Sequence, residues 1–461
     1  MSRLLSAALA VALFGGCATT STSGKPAATS DSPHVGGAAY ASTYVPIASA
    51  PTLITNATVL IGDGQRLEGA DVLLQDGRVA AVGNGLQAPA NAQRVDGTGK
   101  WVTPGIIDVH SHLGVYPSPG ASAHSDGNEM TAPNTAQVWA EHSVWPQDPG
   151  FAAALAGGVT SLQILPGSAN LIGGRGVTLK NVAATMVTDM KFPGAPYGLK
   201  MACGENPKRV YGQKGGPATR MGNVAGYRAA LIDAADYRRK QAGDSPGKRD
   251  LKVETMAGAM DGDILVHIHC YRADEMAQML DLAKEFDFKV TAFHHGVEAY
   301  KIADRLAAEG VCGALWADWW GFKMEAFDGI QENIAIVDRA PGGCAIVHSD
   351  SDEGIQRLNQ EAAKVMASAH RAGIEITPEH AIRWLTENAA KSLGVLDQTG
   401  TLAAGKMGDV VLWNGNPFTV YALAEQVWID GAHVYDRSDR TRQPVSDFML
   451  GQGAAANGGA R

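Results

Sequence analysis

From residue 52 to about residue 100, apolar and polar residues alternate in short runs, the two-residue period of half-buried strands. One run covers 53–61 and another 71–75. Asp76-Gly77 separates the second from 78–82, and Asp-Gly between two such runs predicts a tight hairpin. The far end of the chain repeats this alternation. There 409–413 is one apolar run, and Asp430-Gly431 turns 426–429 into 432–435. Two β segments bracketing the chain predict one small β-sandwich assembled from both ends, 51–103 and 394–440.

Between these segments the pattern changes. Apolar runs of strand length lie at 104–112, 158–165, 176–180, 197–203, 264–269, 289–295, 313–317 and 344–350. Helical periodicity marks 229–241, 273–286, 299–309 and 360–372, and Thr377-Pro378 opens a further helix with Thr377 as its cap. Strand–helix alternation across 104–393 predicts an α/β fold, a (β/α)8 TIM barrel whose parallel strands bring their C-terminal ends to one face.

Those strand ends carry the chemistry. His110 and His112 occupy alternate positions of the first run and so share one face, where two imidazoles can grip a divalent metal. Later runs end near Lys200, near His267 and His269, at His294 and His295, and at Asp350. In this order, His-x-His, Lys, His, His and Asp, the chain resembles the amidohydrolase superfamily of metal-dependent hydrolases from about residue 52 to residue 436. Within it, the chain looks most like the imidazolonepropionase-like and exported dipeptidase-like group.

The resemblance implies two zinc ions held by His110, His112, Lys200, His269, His295 and Asp350. Lys200 would bridge them as a carbamate, because a buried neutral amine can take up carbon dioxide. Lys180 and Glu205 are the alternative bridges. His267, His294 and His348 read as core or supporting histidines, and His124 and His142 as surface ones. The implied reaction is hydrolysis of an amide or small peptide bond by metal-activated water, with Asp350 as general acid and base. A mononuclear deaminase or cyclic amidase, and a lactone or ester hydrolase, are the alternatives on the same fold.

For the substrate, Arg209, Tyr211 and Arg272 follow ligand strands, and Trp320 sits with Trp319 and Phe322 after the seventh. The glycine-rich stretch 166–176 reads first as a mobile loop, and second as backbone donors that, with Arg175, hold a substrate carboxylate.

Composition narrows the rest. A chain of 461 residues with 45% hydrophobic and 18% charged residues suits a globular enzyme of more than one domain. Net charge is −9 and no long basic stretch occurs, which argues against nucleic acid as a partner. A small-molecule substrate is expected, and a homo-oligomer stays open.

Residues 1–17 read as an export signal: Arg3, a short apolar run, then Gly-Gly-Cys17, which resembles a lipoprotein cleavage box. Lipidation at Cys17 would place the protein in the periplasm, anchored to the outer membrane. Residues 18–50 read as a flexible tether, and 441–461 as a tail that ends in disorder. The remaining cysteines, Cys203, Cys270, Cys312 and Cys344, lie in or beside buried runs and read as unbridged small apolar residues.

Overall fold

The computed structural model describes residues 40–443, so Cys17, most of the tether and nearly all of the tail lie outside it. The first strands are β1 (Thr52–Leu60), β2 (Arg66–Gln75), β3 (Arg78–Gly83), β4 (Gln93–Asp96) and β5 (Trp101–Pro104). Asp76 and Gly77 both take positive φ, 53° and 77°, between paired Gln75 and Arg78. This is the turn whose twist matches a hairpin, and it explains the Asp-Gly signal.

The barrel follows as β6 (Ile106–Ser111), β7 (Val159–Ile164), β8 (Ile172–Lys180), β9 (Tyr197–Ala202), β10 (Ile264–Cys270), β11 (Val290–His295), β12 (Cys312–Leu315) and β13 (Ala345–Val347). These eight strands neighbour one another in chain order. The last strands, β14 (Val410–Trp413), β15 (Ala424–Ile429) and β16 (Ala432–Asp436), join the first five through the β5–β14 ladder. Both chain ends therefore make one eight-stranded sheet. Its pairing branches at β1, which uses Thr52–Thr55 on β4 and Thr58–Val59 on β5. Ile54, Val59, Val72, Val102, Leu412 and Trp428 fill its core.

Two expectations are corrected here. The third barrel strand is longer than 176–180 and runs the other way: β8 is antiparallel to both β7 and β9. The cause is connection length. Residues 165–171 link β7 to β8, fewer than a parallel crossover needs. As a result Ile172 lies at the end where the other strands finish, and Lys180 lies at the opposite end. The cysteines are also paired, Cys203 with Cys270 and Cys312 with Cys344. Each pair sits at matching heights on neighbouring strands, with Cα separations of 5.2 and 4.6 Å, within disulfide reach. Burial alone does not separate apolar from bridged cysteine.

Helices cover the barrel: α1 (Pro149–Ala156), α2 (Glu205–Tyr211), α3 (Arg220–Gln241), α4 (Leu251–Asp261), α5 (Ala273–Glu285), α6 (Ala303–Ala308), α7 (Asn333–Arg339) and α8 (Leu358–Arg371). Expected helix 299–309 is divided into a 3-10 turn, Ala299–Ile302, and α6. The Thr377 side chain makes no capping bond to the short helix Pro378–Ala381. No helix among the described residues is long and apolar enough to cross a membrane.

Candidate metal centre

The barrel closes at its first and last strands, and the closure builds the site. Asp350 N donates to the His110 carbonyl at 3.0 Å. Below it, buried Asp108 accepts from the Ser349 hydroxyl and, at 3.2 Å each, from the backbone N–H groups of Ser349 and His110. Burial pushes the Asp108 carboxyl up to about 7 despite those bonds. This aspartate ties the His110 strand to the Asp350 strand. It stands two residues before His110, on the same face, and that spacing was its only signal in the sequence.

Above this clasp the candidate side chains converge. His112 Nδ1 lies 2.9 Å from the Leu165 carbonyl, so Nδ1 carries the proton and Nε2 faces the site. That Nε2 is 3.1 Å from Asp350 Oδ1, and His110 Nε2 is 3.3 Å from the same oxygen. His295 Nδ1 lies 3.8 Å from Asp350 Oδ2, beyond hydrogen-bond reach. Burial would raise the Asp350 carboxyl, but the His112 hydrogen bond and neighbouring positive charge hold it below the usual carboxylate range. His295 and Asp350 both take left-handed φ, 70° and 53°. Non-glycine residues in that region cost energy, and such strain concentrates at functional sites.

Three histidines here have buried ring nitrogens without hydrogen bonds: His269 Nδ1, His295 Nδ1, and both nitrogens of His348. A buried nitrogen left unpaired is costly, so aromatic packing does not account for the cluster. Ring nitrogens of His110, His295 and His348 lie within 4.8 Å of one another, as do the ligand atoms of His110, His112 and Asp350. Two adjoining groups that share His110 fit a divalent metal centre in donor type and spacing. Burial lowers the imidazoles, His348 to about 3, so they stand neutral with lone pairs free to ligate.

Lys200 is fully buried on β9. Its Nζ lies 3.2 Å from His110 Nε2 and 3.0 Å from the Pro166 carbonyl, and it makes no ion pair among the described residues. Burial pushes the amine down to about 7. Lys180 is removed as an alternative bridge: it is locked between Asp409 at 2.8 Å and Asp430 at 3.2 Å at the far barrel end. Glu205, at the start of α2, stands on the rim 3.5 Å from Lys323. His294 sits beneath His110, not beside Asp350, in keeping with its reading as a supporting residue.

The substrate candidates divide. Trp320 is 53% exposed and lines a small cavity with His295, Trp316 and Trp319. Arg175 does not reach this face. Its guanidinium lies over Trp139 at 4.1 Å and bonds Thr255 of α4 at 2.8 Å, in the layer between strand and helix. A β-strand sends alternate side chains outward, and Arg175 occupies an outward position of β8. Arg272 pairs outward with Asp274, and Arg209 lies exposed on α2. Tyr211 is buried against the turn at Gly216. His142 is half-exposed on Trp139, and His124 packs on Trp145, both away from the cluster.

Three residues at the mouth escaped the sequence. Trp316 stacks on His295 with ring centroids 4.2 Å apart. Tyr271 touches both His269 and His295 at 4.7 and 5.6 Å. Lys323 holds its ammonium 4.2 Å from the Tyr271 ring centroid and 3.1 Å from Asn206 Oδ1. Tyr271 stands two after His269, a spacing that could have flagged it; Lys323, in a loop, had no such signal.

Fold and cluster together define a barrel protein with a metal-competent centre. A model of the amidohydrolase family matches residues 350–435. A crystal structure of an amidohydrolase from Thermotoga maritima MSB8 is similar at 36% identity and a TM-score of 0.77, over 84% of this chain and 100% of that one. The chain belongs to the amidohydrolase superfamily. Amidohydrolase tasK of Hapsidospora irregularis is 33% identical across 84% of this chain, which spans only 43% of that protein. An imidazolonepropionase of Mesorhizobium japonicum is 24% identical across 78% of this chain and 90% of its own length. This membership supports a hydrolase that acts on carbon–nitrogen bonds.

Proposed function

We propose that this protein is a dizinc amidohydrolase that cleaves an amide or small peptide bond in a carboxylate-bearing small molecule. The observation that carries the reading is the set of unpaired, buried imidazole nitrogens gathered around Asp350. His110, His112, Asp350, His269 and His295 would hold the metal, with His348 beside them. When bound, the metal supplies Lewis-acid activation of water and of the substrate carbonyl. Lys200 as a carbamate would add an anionic bridge, its amine already next to His110 and free of ion pairs.

Asp350 is suited to move the proton. Its Oδ1 lies beside the Nε2 atoms of His110 and His112 and would ligate with them, leaving Oδ2 to accept a proton from the attacking water and deliver it to the leaving nitrogen. Trp316, Trp320 and Tyr271 exclude water and offer flat apolar walls. Lys323, at the rim, offers positive charge to a substrate carboxylate. The branched end sheet is read as the small sandwich of the family, and Cys17 as a lipid anchor to the outer membrane.

A panel of dipeptides, N-acyl amino acids and lactones on the zinc-loaded enzyme tests the reading. Turnover of carboxylate-bearing amides that Asp350→Asn abolishes supports it. Turnover confined to lactones would replace it with the esterase alternative. The imidazolonepropionase relative keeps a mononuclear cyclic amidase as the second reading.

A further inference from the structure

Beneath the candidate ligands, three imidazoles and one amide run in single file through the barrel interior. His110 Nδ1 lies 2.9 Å from His294 Nδ1. His294 Nε2 lies 2.9 Å from His267 Nδ1, and His267 Nε2 lies 3.4 Å from Gln163 Nε2. All four residues are completely buried. Complete burial disfavours a charged ring, so each imidazole is neutral and carries one proton.

A neutral imidazole has one N–H and one lone pair. Every contact in the file needs one of each, so the protons can point in only two ways. In the first, Gln163 donates to His267, His267 Nδ1 to His294, and His294 Nδ1 to His110. His110 then bears its proton on Nε2, toward Asp350, and cannot ligate a metal there. In the second, His110 Nδ1 donates to His294, His294 Nε2 to His267, and His267 Nε2 to the Gln163 carbonyl oxygen. His110 Nε2 then presents a lone pair to the site.

The two ways differ at the far end only by a half-turn of the Gln163 amide, which exchanges its oxygen and nitrogen. Gln163 Oε1 has no hydrogen-bond partner, so either end of the amide can face His267. The contact is also tightly enclosed. A Cβ on Gly198 would come within 2.8 Å of Gln163 Nε2 and 2.9 Å of His267 Cδ2.

We infer that His294, His267 and Gln163 are positioning residues that decide which nitrogen of His110 is free, and so tune metal binding from beneath the ligands. This rests on the metal reading above. Binding at His110 Nε2 orders the whole file, and Gln163 Oε1 is its terminal acceptor. Without the amide, the binding-competent arrangement leaves an N–H buried unpaired and the competing one only a ring lone pair, the lesser cost, so the competing arrangement gains.

The test uses the full chain, stripped of metal and titrated with zinc ions alone. Gln163→Leu should bind zinc about 10- to 100-fold more weakly with an unchanged thermal melt, as loss of such supporting partners does elsewhere. Gln163→Glu, which restores an acceptor, should recover most of the affinity. In zinc-loaded wild type labelled with nitrogen-15 histidine, NMR should show His294 and His267 protonated at Nε2 and His110 at Nδ1. That measurement needs no variant to fold. A folded Gln163→Leu with wild-type zinc affinity, or His294 protonated at Nδ1 in the loaded protein, would overturn the inference. Failure of wild type to bind zinc would sink the metal reading itself, a separate outcome.

Discussion

Replacing the two buried lysines, Lys180 and Lys200, by methionine should have opposite consequences. Both lysines are fully buried at barrel strands. Lys180 is the shared cation of Asp409 and Asp430, whose side chains are 1% and 4% exposed. Its removal strands two carboxylates, and breaking a buried ion pair from one side costs about 3–5 kcal/mol. Donors to those carboxylates from Thr399, Tyr44 and the Asp430 backbone remain, so the lower half of that range is expected. Lys200 strands no charged partner. Its loss forfeits its hydrogen bonds to the Pro166 carbonyl and His110 Nε2, worth about 1 kcal/mol each, and relieves the cost of burying an amine.

Urea unfolding followed by tryptophan fluorescence, with zinc per chain measured in parallel, separates the two. Lys180→Met should unfold at clearly lower urea yet keep its zinc and its activity per folded molecule. Lys200→Met should unfold near the wild-type midpoint and lose zinc and activity. The Lys180→Met deficit should also shrink with acidity. Burial and neighbouring Asp409 raise the folded-state pKa of Asp430 above its unfolded value. A raised carboxyl favours folding below the unfolded value and loses that contribution as pH rises through the folded one, so acidification relieves the stranded charge. A stable Lys180→Met without zinc, or a destabilised Lys200→Met that keeps it, would refute this assignment of the two lysines.

Lys323→Met should raise KM for carboxylate-bearing substrates by about 10- to 100-fold with kcat little changed, the value of one hydrogen bond to a charged group. Amides without a carboxylate should be unaffected, and steady-state kinetics on matched pairs reads the difference. Arg175→Met should lower stability by about 1–3 kcal/mol, through loss of packing on Trp139 and of its bond to Thr255, and leave KM unchanged. Cys17→Ser should move the protein from the membrane pellet to the soluble fraction after cell lysis; equal solubility of both forms contradicts a lipid anchor.

How much was legible followed from how local each signal is. The hairpins at Asp76-Gly77 and Asp430-Gly431 were readable because the turn residues themselves require positive φ. His110, His112, His295 and Asp350 were readable because each closes an apolar run, and barrel topology gathers such ends. The reversal of β8 was not readable from its own residues; it followed from the short 165–171 connection, which shows only once both strand limits are known. Lys180, the alternative bridge, falls at the far end because β8 is reversed, and Arg175, the second reading of its stretch, misses the site because it takes an outward position of that strand. Pairing of Cys203 with Cys270 depends on the register of β9 against β10, a long-range property that no single segment carries. His267 and His294 were read as supporting residues, and their connection to Gln163 needed coordinates.

The unpaired nitrogens around Asp350 are read as holding catalytic metal, and every functional statement about the barrel face depends on that. Elemental analysis of protein purified without chelators, alongside activity during chelation and zinc add-back, tests it head-on. About two zinc ions per chain are expected, lost together with activity on chelation and restored together on return. A reproducible value near one would turn the reading toward the mononuclear cyclic amidase. Full activity in a metal-free preparation would refute a metal-dependent hydrolase outright.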